Sequence, residues 1–197
     1  MPYLLQIFAG LSSYTYWGVM YWRDGRRFSL DGNTAWGRGS FRDVGALVGF
    51  GGGWLLGLHY GSGRVDRAWR TAEGIIVDTG NGTTFLTLGL GRMWEFPLNP
   101  HFSSYLTALP YVSLSHFHDT PDFPEDTSES LIGYGLGLRL TGGLYYRTAG
   151  GIGFGGEILW DLLPMVRYGG EGYSWSPTWG QFLGGNLFVR WERLPLE

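Results

Sequence analysis

Three ionisable side chains, Arg139, Glu157 and Arg190, stand in stretches otherwise made mostly of glycine and bulky apolar residues: LIGYGLGLRL (131–140), GIGFGGEILWD (151–161) and FLGGNLFVRW (182–191). Residue type alternates with period two in each, so each charge shares a face with glycines and lies opposite leucines and aromatics. A guanidinium or carboxylate taken out of water is stable only when paired and hydrogen-bonded. These three are therefore expected to form an enclosed polar network, with Glu95, His59, Gln6 and Asn186 as further candidates. Such a network would plug an interior; a gated conduction path is the competing reading.

The segment HFHDTPDFPEDTSES (116–130) gathers Asp119, Asp122, Glu125, Asp126 and Glu129 beside His116 and His118. Several carboxylates on a polar loop suit Ca2+ or another hard divalent cation, and the two imidazoles suit a zinc-like ion. The spacing matches no EF-hand, so a solvated acidic loop is the plain alternative. Ser113 and Ser115 stand near His116, His118 and Asp119, the residue types of a hydrolytic triad. Neighbours on a strand point to opposite faces, however, and no Ser–His–acid geometry follows from this spacing. The expectation is a non-enzymatic protein with no catalytic residues and no required cofactor.

The elements that would position these residues are strands. Residues 41–50 set Val44, Ala46, Val48 and Phe50 against Asp43, Gly45, Leu47 and Gly49, and residues 83–94 set Leu86, Leu88, Leu90 and Trp94 against Phe85, Thr87, Gly89 and Gly91. A strand half-exposed to water sets its apolar side against polar residues and avoids interior glycine. Here small residues occupy that second face, as expected when the apolar face meets hydrocarbon and the small face is enclosed. Ten residues at about 3.3 Å each, tilted by about 45°, cross the apolar layer of a bilayer. Lipid offers no hydrogen-bond partners, so such strands must close on themselves.

The pattern predicts an all-β fold: eight antiparallel strands, at 3–14, 41–50, 54–64, 83–94, 103–115, 131–140, 151–162 and 180–191, in an up-and-down transmembrane β-barrel forming a single domain, 1–197. Short links at 51–53, 95–102 and 141–150 alternate with long polar segments at 15–40, 65–82, 116–130 and 163–179, which are expected to continue as strands beyond the membrane. Asp24-Gly25 and the Asp-Thr-Gly-Asn-Gly run at 78–82 read as hairpin turns. LYYR, 144–147, fits either a link or a strand extension. Trp17, Trp22, Trp54, Trp94, Trp160 and Trp191 lie near strand ends, as interfacial girdles require. Arg92 falls on the lipid-facing side and is expected to snorkel to an interface.

Composition agrees. Glycine reaches 35 of 197 residues, aromatics 17% and charged residues 16%, while mean hydropathy stays near zero because apolar and polar residues are interleaved. The net charge of -3 gives no support to nucleic-acid binding. There is no cysteine, hence no disulfide framework or thiolate metal site, and all 14 basic residues are arginine. No run reaches the 18 or so apolar residues of a spanning helix. The opening MPYLLQIFAGLSSY reads as a strand of a mature chain, with Met1 standing in place of a removed signal peptide.

The stretch LFVRW, preceded by Leu183 and Gly185, ends on Trp191 after apolar residues at alternate positions, and ERLPLE follows it. It resembles the C-terminal signature of bacterial outer-membrane barrels. With the eight-strand pattern, the whole chain resembles the small barrels typified by the OmpA transmembrane domain, OmpX and OmpW. That resemblance implies a monomer in the bacterial outer membrane, in contact with outer-membrane lipid or lipopolysaccharide, with surface polysaccharide as a candidate partner. It implies a role in envelope structure and surface display. Likeness to OmpW implies the alternative, a narrow channel or transporter for a small or hydrophobic solute. A soluble lipocalin-like binder is a third class, which would pack Leu88, Leu136, Leu138 and Leu187 in a dry centre.

Overall fold

The computed structural model describes residues 4–22, 35–71, 74–117, 131–169 and 173–192. They form eight strands: β1 (Leu4–Trp22), β2 (Ala35–Phe50), β3 (Trp54–Thr71), β4 (Gly74–Pro97), β5 (Phe102–Phe117), β6 (Leu131–Arg147), β7 (Ile152–Gly169) and β8 (Tyr173–Glu192). Each pairs antiparallel with the next, and β8 pairs with β1 to close a barrel. Leu5 pairs with Val48, Val48 with Leu56 and Leu56 with Leu90. The register continues through Pro110, Leu138, Leu162 and Gln181 and returns to β1 at Thr15, ten residues beyond Leu5. With strands about 4.8 Å apart and about 3.3 Å per residue, that offset over eight strands corresponds to a tilt of roughly 40°.

The links at one end are short. Gly51–Gly53 join β2 to β3, with Gly52 and Gly53 both at φ 77, a conformation that a side chain would strain. Between β4 and β5, Asn99 Oδ1 accepts from the backbone N–H groups of His101 and Phe102, each at 2.9 Å. The strands are longer than the stretches that the alternation marks, because hydrogen bonding continues past the membrane's width. β6 runs through LYYR to Arg147. The run at 78–82 is not a hairpin turn. β4 passes straight through it, and the pairing steps from Val65–Asn81 to Arg67–Asp78, so β4 carries one extra residue there. Turn-forming glycine chemistry is used for a β-bulge instead. The Asp24-Gly25 turn lies outside the described residues.

The two faces are the reverse of a soluble protein's. Leu88, Leu136 and Leu187 face outward, at 49%, 53% and 76% exposure, so a dry leucine centre is ruled out. On β5 the outward apolar set runs from Phe102 to Leu114, roughly 30 Å along the barrel axis at that rise and tilt. At the short-link end the band closes on Phe50, Trp54, Trp94, Phe96, Phe102, Tyr146, Phe154 and Trp191, all turned outward. The glycine face is interior, and rings occupy the space it leaves. A Cβ on Gly61 would come within 2.4 Å of the Phe85 ring, and one on Gly143 within 2.5 Å of the Tyr105 ring.

Candidate functional site

The interior is stacked in tiers. At the short-link end, Arg190 of β8 is fully enclosed, its guanidinium 4.5 Å from the Tyr145 ring centre and 5.4 Å from that of Tyr105. Its Nε lies 2.8 Å from Glu192 Oε1 as an ion pair without hydrogen-bond alignment, Nη2 lies 3.7 Å from Glu95 Oε2, and Nη2 donates to Met93 Sδ at 3.0 Å. Arg147 Nη1 and the Tyr145 hydroxyl each donate to Glu192 at 3.0 Å. Two arginines therefore meet two glutamates. The Nη1 of Arg190 has no hydrogen-bond acceptor; the faces of two tyrosine rings stabilise the cation there.

Above it, Glu157 of β7 is held by neutral donors. Asn186 Nδ2 donates to Oε1 at 2.7 Å, and Oε2 accepts from Gln6 Nε2 at 3.0 Å and from the Tyr105 hydroxyl. The next tier is a charged chain across the lumen. Arg139 of β6 grips Asp161 of β7 with Nε–Oδ1 at 2.8 Å and Nη2–Oδ2 at 2.6 Å, and Nη2 also reaches His59 Nδ1 at 2.9 Å. Because a guanidinium only donates, Nδ1 must accept, so the imidazole proton sits on Nε2 and is donated to Asp43 Oδ1 at 3.1 Å. Phe8 stacks on that imidazole at 5.9 Å.

A fourth tier closes the other half. Tyr14 stacks on Phe182 at 4.3 Å, Phe85 meets Phe182 at 4.7 Å, and Phe41 meets Phe85 at 4.8 Å. The cavity left between this plug and Asp161 measures about 20 Å³, room for about one water molecule.

No protein-family model matches this sequence, and no curated protein matches it. Among solved structures, the crystal structure of Neisserial surface protein A (NspA) is similar with a TM-score of 0.51 at 10% identity, covering 96% of this chain and 97% of that one. The outer membrane protein OprG from Pseudomonas aeruginosa is similar with a TM-score of 0.56 at 11% identity, covering 95% and 96%. The fold is shared with both. At such identity the likeness concerns architecture and carries no residue of either protein onto this chain.

Arg139, Glu157, Arg190, Glu95 and His59 all sit on the inward side of their strands, but they fall into three clusters rather than one network. Arg139 meets His59, Arg190 meets Glu95, and Glu157 stands between them with Gln6 and Asn186. Sequence reading passed over Asp43 and Asp161, the two carboxylates that complete the charged chain. Their inward parity was visible; their pairing was not. Tyr105, Tyr145 and Glu192 were also missed.

Ser113 and Ser115 face the interior, where Ser115 donates to the Gly133 carbonyl at 3.3 Å, while His116 stands on the opposite face of β5. A second close spacing, His101 and Ser103, is split as well: His101 stacks on the outward Tyr146 ring at 5.7 Å, and Ser103 is buried. His118, Asp119, Asp122, Glu125, Asp126 and Glu129 lie outside the described residues. Among the described residues no group of three or more His, Asp or Glu is arranged for a metal ion. Arg92, exposed as expected, turns towards the short-link end, donating to the Gly52 carbonyl at 2.6 Å and lying 5.3 Å from the Trp54 ring centre.

Proposed function

We propose that this chain is an integral outer-membrane barrel that does not conduct and carries no catalytic site, serving to anchor and display a surface region beyond the membrane. The observation that carries this reading is an outward apolar band around an interior crossed by four side-chain tiers, with space for about one water between two of them. Fold likeness to NspA and to the outer membrane protein OprG supports the location. Barrels of this class place short turns in the periplasm and long segments outside, which sets β4, 24 residues long, to project outward through its Gly74 end. The separation of Ser113 and Ser115 from His116, and of Ser103 from His101, supports a non-enzymatic role.

Refolding the chain from urea into detergent and then into a planar bilayer tests the proposal. The expected results are a shift in gel mobility between heated and unheated samples, and no conductance steps. Solubility without detergent and no mobility shift would overturn the membrane reading. Reproducible conductance would make the chain a channel.

A further inference from the structure

Among the described side chains, five charged residues face outward: Arg38, Arg42, Arg64, Asp66 and Arg92. Arg92 belongs to the short-link end. The other four lie together on two adjacent strands at the opposite rim of the apolar band. On β2 the outward sequence runs Phe50, Val48, Ala46, Val44 and then Arg42, Ser40, Arg38; on β3 it runs Trp54, Leu56, Leu58, Tyr60 and then Ser62, Arg64, Asp66. On neighbouring β1 it runs to Leu11 and then Ser13 and Thr15, which pair with Ser40 and Arg38. The change from hydrocarbon-loving to cationic takes one step on β2. Among the described side chains, the corresponding outward positions on β4, β5, β6 and β8 hold Thr84, His116, Tyr134 and Gln181.

Arg64 pairs with Ser40, which puts it diagonal to both Arg42 and Arg38, about 7–8 Å from each. Arg42 and Arg38 are four residues apart on one strand, about 13 Å. A hollow of about 830 Å³ opens beside Arg38 and Arg64, lined also by Ser13, Thr15, Ser40 and Asp66; Arg42 stands outside its lining. The ion pair of Arg38 Nε with Asp66 Oδ2, at 4.0 Å, is long and exposed, a kind that contributes little. Arg42 and Arg64 have no ion-pair partner among the described residues. The patch therefore carries three positive charges against one negative in a chain whose net charge is -3.

We infer that this patch binds a lipid of the outer leaflet whose headgroup bears at least two phosphates. The inference rests on the membrane reading above. Its height is that of a headgroup, since the acyl chains would lie against Val44, Tyr60 and Leu11 directly below. Guanidinium forks match phosphate oxygens in bidentate pairs, and the hydroxyls of Ser13, Ser40 and Thr15 supply further donors. Two phosphates would give Arg42 and Arg38 one each, with Arg64 between them, whereas a single phosphate would draw all three guanidiniums towards one anion.

The test uses the whole chain in phosphatidylcholine nanodiscs doped with bisphosphorylated lipid A, with phosphatidylglycerol or with neither, and native mass spectrometry counts the lipid retained. The wild type should retain lipid A in preference to phosphatidylglycerol, and less so as salt rises. Arg42→Gln with Arg64→Gln should weaken retention on the order of 30-fold, the effect of two surface arginines. Arg92→Gln, at the other rim, should leave retention unchanged. Equal retention by the double variant, or equal retention of phosphatidylglycerol, would overturn the inference. So would displacement by millimolar inorganic phosphate, which would make the patch a site for soluble anions. Heat-modified mobility is read on every sample. A wild type that inserts but keeps no lipid A sinks this inference alone, whereas one that fails to insert sinks the membrane reading as well.

Discussion

Arg139 and Asp161 show how a buried charge is tolerated. Both are almost fully enclosed, and the pair is bidentate, with His59 and Asp43 extending it. Removing one member leaves the other desolvated and unpaired, which is costlier than removing both. Asp161→Leu alone should lower stability by about 3–5 kcal/mol, while Asp161→Leu with Arg139→Met should cost less than the single change. Urea unfolding in lipid vesicles measures both; a double variant at least as unstable as the single one would count against the pair as the source of the effect. At this scale the sequence revealed which side chains point inward, because strand parity is a property of the chain itself. It did not reveal partners. Asp161 faces Arg139 because the link at 148–151 sets a register that runs unbroken from Arg147–Gly153 to Arg139–Asp161, and LYYR left the length of that link open in the sequence. His59 reaches Arg139 across the lumen, a distance that depends on how far the whole sheet is offset.

At the scale of the strand, glycines divide into two kinds that composition cannot separate. A Cβ on Gly91 would stand 2.0 Å from the Ala108 carbonyl oxygen, so a side chain there must displace a neighbouring strand. The outward glycines Gly142 and Gly185 have their nearest atoms at 3.4 and 3.5 Å, ordinary contact distances. Gly91→Ala should therefore lower the unfolding midpoint, whereas Gly142→Ala and Gly185→Ala should leave it unchanged or raise stability by up to about 1 kcal/mol through the lower backbone entropy of the unfolded chain. Loss of stability in all three alike would mean that the interior space argument is wrong. Arg92 gives a second test. Arg92→Ala removes the hydrogen bond to Gly52 and the stacking on Trp54, a loss of about 1 kcal/mol. Amide exchange should quicken at 51–53 and not in the tiers; unchanged exchange at the turn would show that the contact does not brace it. Strand number was legible here, strand length was not. Alternation marks only the part of a strand that meets lipid, and the Asp78–Gly82 run carries residues that serve a turn and a bulge equally well.

For the whole molecule, eight strands offset by ten residues enclose a bore narrow enough for side chains to fill. The fill is redundant. Conduction would need the Arg190 cluster, the Glu157 cluster, the Arg139–Asp161 chain and the aromatic plug to open together, because obstacles in series each stop the flow. Phe85→Ala with Phe182→Ala would enlarge the small cavity beside Asp161, yet leave Arg139, His59 and Asp43 spanning the lumen below it. Arg139→Ala with Asp161→Ala would clear that span and leave Tyr105, Tyr145 and Arg190 packed beneath. Each of these variants should remain silent in planar bilayers, and only their combination with a change in the lower clusters should produce steps. Single-tier variants that conduct would show that one tier alone holds the barrel shut, and the picture of independent closures stacked along one bore would have to give way to that of a channel with a single gate.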